Sequence, residues 1–241
     1  MATKDPNATT NRRQFLGTLA TGAAAVSFAT VTPVLSAHAE RPSFFTAEDP
    51  DAWFNQIKGK HRIVYDATHP AEIFQFAWPR VFLLTNEQTG TPAKDCSVVV
   101  VLRHTAIPYA LNSEMWAKYN FGKVFKIESL GPGFQAADAA TALSTRNPFW
   151  KPSPGDFKLP GFGNLSIGIN ELQESGVMIC VCSAAMIVYS AVVAGMMKMD
   201  ATTVLNEWKG GMIPGIQPVP SGVWAVGRAQ EHGCQYCYVG G

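Results

Sequence analysis

The sequence predicts an α/β protein: a mostly parallel sheet sandwiched between helices on both faces, in three layers. Two observations carry this. Residues 97–103 and 177–182 are continuous apolar, largely β-branched runs, the pattern of strands covered on both sides. Strand-like segments also alternate with helix-like ones along most of the chain, which is the order of a parallel sheet with helical crossovers.

The elements read in order as follows. Residues 52–59 form a lead-in helix with Asp51 as its N-cap. Residues 61–66 are the first strand. Over 72–85, Ile73, Phe74, Phe76, Ala77, Val81 and Phe82 recur at helical spacing, with Pro79 expected to break or bend the helix. The strand at 97–103 follows. Residues 105–163 are a long mixed region containing a helix over 111–119, capped by Asn112 or Ser113, and a Pro- and Gly-rich loop over 147–163. A helix over 165–174 stops at Gly176 and leads into the strand at 177–182. Helices at 184–197 and 201–209 come next, the latter capped by Asp200. A strand at 216–220 precedes a helix at 222–232 capped by Ser221, Gly233 ends that helix, and residues 235–239 close the sheet.

The N-terminal segment is read separately. Asn11-Arg12-Arg13-Gln14-Phe15-Leu16-Gly17 resembles a twin-arginine export signal, departing from the usual pattern at Asn11 and Gly17. A weakly apolar run rich in Ala, Gly and Thr follows and ends in Ala37-His38-Ala39, a small-x-small cleavage site. Residues 1–39 are therefore assigned as a signal peptide, and residues 40–241 as a single domain with a long insertion at about 105–163. That domain is expected in the periplasm or another extracytoplasmic space, delivered folded by the twin-arginine translocase. With 19 Lys and Arg against 18 Asp and Glu and no basic block, the chain has no electrostatic footprint for nucleic acid. Five cysteines cannot all pair within one chain.

Ligands of open parallel sheets sit at the carboxyl ends of the strands, and that rule nominates a site. The first strand ends at Asp66, with Thr68 and His69 beyond it. The others end at His104, Cys182 and Ser221. Cys182 is the most informative, because it lies where a strand gives way to a helix, and the free N–H groups of a helix start favour a negatively charged sulfur. It is the candidate nucleophile, with His104 as a proton-transfer partner and Asp66, His69 and Ser221 as binding residues. Trp116 is expected to line a pocket over the strand ends. Cys180, two residues before Cys182, reads as core. Cys234-Gln235-Tyr236-Cys237 has the spacing of a redox pair, and equally of a disulfide, half a metal site or two unrelated thiols, a structural or incidental role being the preferred reading. No phosphate-binding glycine loop and no serine nucleophile elbow is present, and no cofactor and no metal ligand set is assigned.

These residues carry a family resemblance. Ile169-Asn170-Glu171-Leu172-Gln173-Glu174-Ser175-Gly176-Val177, the strand ending in Cys182, the small-residue helix after it, and Val219-Pro220-Ser221-Gly222-Val223-Trp224-Ala225-Val226 together resemble the DsrE-like sulfur-relay family. The resemblance covers roughly residues 60–239 and is concentrated in the last third. It implies a flavodoxin-like parallel sheet, a homo-oligomer (trimer or hexamer) and sulfane sulfur carried as a persulfide on Cys182. Its partners would be a sulfur donor or acceptor protein or a small sulfur compound. The alternative is a non-catalytic module of the same fold that binds a small ligand or metal, or serves assembly.

Overall fold

The computed structural model describes residues 49–240. The predicted signal peptide lies outside the described residues. Five strands form one all-parallel sheet: β1 (His61–Ala67), β2 (Cys96–Leu102), β5 (Met178–Cys182), β6 (Gln217–Val219) and β7 (Gln235–Val239), side by side in the order β6-β5-β2-β1-β7. β3 (Lys158–Leu159) and β4 (Gly163–Asn164) make a separate small antiparallel pair. The helices are α1 (Phe74–Gln88), α2 (Ser113–Tyr119), α3 (Phe121–Val124), α4 (Ala139–Thr145), α5 (Ile169–Glu174), α6 (Ser183–Met197), α7 (Ala201–Gly210) and α8 (Gly222–Glu231). The expected three-layer α/β architecture is the one found.

The strand order explains why the two helical layers are unequal. The chain steps from β1 to β2, β5 and β6 in one direction, and right-handed crossovers moving one way put their helices on one face. Residues of α1 to α7 accordingly join a single large core with Tyr65, Val98, Val100, Leu102, Ile179 and Val181. The last crossover travels back across the sheet to β7, so α8 falls on the opposite face. There Ala225 and Ala229 pack on Val64, Val99, Val101 and Cys180, with Phe54 and Ile57 from the N-terminal segment.

Local chemistry sets most boundaries as expected. Asn112, Asp200 and Ser221 each accept the backbone N–H three residues on, and so cap α2, α7 and α8. Three expectations change. The lead-in helix is a 3-10 helix, Pro50–Gln56, capped by Asp49 rather than Asp51. α1 runs through Pro79 without a break; the residue lies in its second turn, where one backbone bond is lost rather than a continuing ladder. α5 begins only at Ile169, where the Glu171 carboxylate accepts the Gly168 N–H at 2.8 Å.

The region 105–163 is not a loop laid over the strand ends. It carries a 3-10 helix (His104–Ala110), three short α-helices and the β3–β4 pair, and it supplies much of the larger core. Trp116, expected at the site, is fully buried here. Its indole N–H donates to the Pro108 carbonyl at 2.8 Å, and its ring packs on Tyr109 and Phe121. An indole with a backbone acceptor and an aromatic shell is most stable inside. Trp116→Ala should therefore cost about 3–5 kcal/mol in denaturant unfolding.

Candidate functional site at the carboxyl ends of the strands

The rim is organised around Asp66. This carboxylate is on β1, 2% exposed, on the face covered by α8. The register pairs Asp66 with Val101 on β2 and Tyr238 on β7. Side chains two residues along each neighbouring strand share its face and reach it diagonally. Arg103, just past the end of β2, donates from Nε to Oδ1 at 2.6 Å and from Nη2 to Oδ2 at 2.8 Å. Tyr236, on β7, donates its hydroxyl to Oδ2 at 2.9 Å. The hydrogen bond to Asp66 raises the Arg103 pKa above its already high value. Burial, then the hydrogen bond to Asp66, raises Tyr236 and keeps its hydroxyl protonated as a donor.

Cys182 stands next to this group. β2 and β5 pair as Val101 with Cys180 and Leu102 with Val181; one further step sets Arg103 opposite Cys182. Among the influences that raise the Arg103 pKa, Asp66 comes first and Cys182 is the smallest. Cys182 is also the N-cap of α6, and its Sγ accepts the Ala185 N–H at 3.3 Å. Only 6% of the residue is exposed. The Ala184 N–H donates to the Pro220 carbonyl at 3.2 Å, tying the start of α6 to the start of α8. Gly222, the first residue of α8, lies against the Arg103 stem. A Cβ there would sit 2.5 Å from Arg103 Cβ and 2.6 Å from Cδ.

The remaining candidates divide between roles. Ser221 receives the Trp224 N–H at 3.2 Å and serves as a cap. His69 lies where the strand order reverses, between β1 and β7; its Nδ1 is 2.8 Å from Thr68 Oγ1 and its ring faces Tyr238. His104 is exposed, with φ of 52° in the left-handed region, a conformation that costs an L-residue on the order of 1 kcal/mol. Its Nε2 lies 3.1 Å from Tyr189 Oη of α6 and its Nδ1 3.4 Å from Thr105 Oγ1. No hydrogen bond links it to Cys182 among the described residues, so the expected proton-transfer pair is not assembled. Arg103, which the register sets opposite Cys182, and Gly222, which lies against the Arg103 stem, were missed by the sequence reading, as was Tyr236. Arg103 was legible in principle, being the first charged residue past an apolar strand.

All five cysteines are free thiols. Cys234 and Cys237 do not form a redox pair. Three residues apart on an extended segment, they point to opposite faces of the sheet: Cys234 packs with Phe54 and Ala229, and Cys237 against the larger core. Burial pushes the Cys234 thiol up to about 11, and burial also raises Cys237. Cys180 is wholly buried and strongly raised by the same cause. Away from the site, a groove of about 540 Å³ opens at the opposite end of the sheet, lined by Lys58, Lys60, Lys94 and Cys96 among others. Burial and then Asp95 raise the Cys96 thiol, so this groove holds no activated nucleophile. Among the described residues, no three His, Cys, Asp or Glu side chains gather as a metal site, and no helix is long and apolar enough to cross a membrane.

No protein-family model matches the chain, and no curated protein matches it either.

A thiol with a pKa near 11 is about one part in a thousand thiolate at pH 8. Iodoacetamide at that pH should therefore leave Cys234 and Cys180 unlabelled in the folded protein and label them once it is denatured. Mild oxidation should yield no Cys234–Cys237 disulfide on peptide mapping.

Proposed function

We propose that this is an exported sulfur-handling protein that carries sulfane sulfur as a persulfide on Cys182. One observation carries the reading: a cysteine at a strand's carboxyl end caps the following helix through its sulfur and stands opposite an arginine held by a buried carboxylate. Anionic sulfur is favoured beside backbone N–H groups and a guanidinium. In the loading step the Cys182 thiolate attacks the terminal sulfane sulfur of a donor. A new S–S bond forms, the donor's own S–S bond breaks, and its electron pair leaves with the remnant. Passing the outer sulfur to an acceptor thiolate reverses the process and regenerates Cys182, with no net oxidant. The low exposure of Cys182 suits a persulfide that must be shielded between donor and acceptor.

Incubation with inorganic polysulfide should add one sulfur atom to Cys182, read by intact-protein and peptide mass spectrometry, and Cys182→Ser should abolish it. Equal uptake by Cys182→Ser would sink the proposal.

An oligomer belongs to the same proposal. α6 carries no charged residue, and its outer face is apolar: Val188, Val192 and Met196 are 54%, 52% and 64% exposed, with Ala184, Ala191 and Gly195 between them. A helix apolar on all sides is normally covered, and we assign the cover to further copies of this chain, as a trimer or hexamer. Light scattering should give a multiple of the monomer mass, and Val188→Lys with Val192→Lys should return the monomer while leaving the circular dichroism spectrum unchanged. A monomeric native protein would end this part of the proposal.

A further inference from the structure

We infer that Arg103 makes the site selective for sulfur donors whose leaving group is an oxyanion, such as thiosulfate or an organic thiosulfonate. The inference rests on the sulfur-handling reading and names its substrate class. Asp66 occupies Nε and Nη2 of Arg103, and Nη1 makes no hydrogen bond within the described protein. The guanidinium cannot swing away from this position, because the two-point contact fixes its plane and its stem lies on the Gly222 backbone. Tyr236 braces the carboxylate from the other side. A buried ion pair contributes little stability over apolar packing. What this one supplies is a fixed, oriented guanidinium on the residue that the strand register sets opposite Cys182.

The surroundings point the same way. Two helix starts, Cys182–Ser183 and Ser221–Gly222, are tied together next to Arg103, and each contributes partial positive charge. The Ser183 hydroxyl, adjacent to Cys182 in the chain, is buried and has no hydrogen-bond partner among the described residues, the residue being 1% exposed. Sulfonate oxygens are hard acceptors that match guanidinium and hydroxyl donors. A polysulfide chain offers only sulfur, a weak acceptor. With thiosulfate, the Cys182 thiolate attacks the outer, sulfane sulfur. The Cys182 S–S bond forms as the sulfur–sulfur bond of thiosulfate breaks, and sulfite leaves with the electron pair. Total charge is unchanged across the step, and the persulfide remains as an anion.

The test compares two donors on the full chain, with sulfur addition to Cys182 followed by mass spectrometry. Loss of the guanidinium that favours the Cys182 thiolate should slow loading of Arg103→Gln from both donors, and loss of one charge-assisted hydrogen bond to the donor should slow thiosulfate loading roughly tenfold or more beyond the fall seen with polysulfide. Arg103→Lys, which keeps the charge without the fork, should fall between and differ mainly in the thiosulfate concentration needed for half-maximal rate. On the unaltered protein, which needs no variant to fold, inorganic sulfate should compete with thiosulfate and leave polysulfide loading unaffected. A parallel fall with both donors, no fall with either, or indifference to sulfate would overturn the role of Arg103. Loading from polysulfide but never from thiosulfate would overturn it as well and leave the carrier reading standing. Loading from neither donor would remove both.

Discussion

A carboxylate shut almost completely from solvent within a parallel sheet must be met by donors, because leaving it unpaired is among the most expensive things a fold can do. Asp66 imposes that requirement, and the architecture of the rim follows from it. Its partners come from diagonal positions on both neighbouring strands, Arg103 beyond β2 and Tyr236 on β7. β1 must therefore lie between β2 and β7, and the strand order puts it there. The arginine's stem needs a smooth surface beneath it, and α8 begins with Gly222 at that point. Once Arg103 is fixed, the register of β5 brings Cys182 beside it.

The same topology accounts for the lopsided layers. Three crossovers in one direction crowd one face with helices, and the single return crossover leaves the other face to α8 and the 3-10 helix at Pro50–Gln56. Tyr236 and Tyr238 of the edge strand β7 stay half exposed as a result. α6 is held on the crowded side by Met186, Val193 and Ala194 and turns an apolar stripe outward. The proposed chemistry and the proposed assembly surface thus begin at one place, the turn from Cys182 into α6.

The strands and most helix caps were legible because they depend on near neighbours. β-branched runs marked β2 and β5, and Asn112, Asp200 and Ser221 marked helix starts, since a cap is settled within three residues. Trp116, His104 and the Cys234–Cys237 pair were misplaced for a common reason: residue type and spacing say what a side chain can do, not which way it faces. Trp116 found a backbone acceptor in the core. His104 turned to Tyr189. The two cysteines fell on opposite faces of the sheet.

By itself the sequence determined the class of fold, the positions of the five long-range strands, the start of α6 at Cys182 and the candidacy of that cysteine. These follow from periodicity and capping, which act over a few residues. Only the tertiary structure decided what Cys182 faces. Strand order and register join Asp66, Arg103, Tyr236 and Gly222 across about 170 positions of chain, and that pairing is set by the packing of the whole sheet rather than by any local segment. The physical reason is that a parallel sheet pairs strands through long crossovers, so neighbours in space are seldom neighbours in sequence.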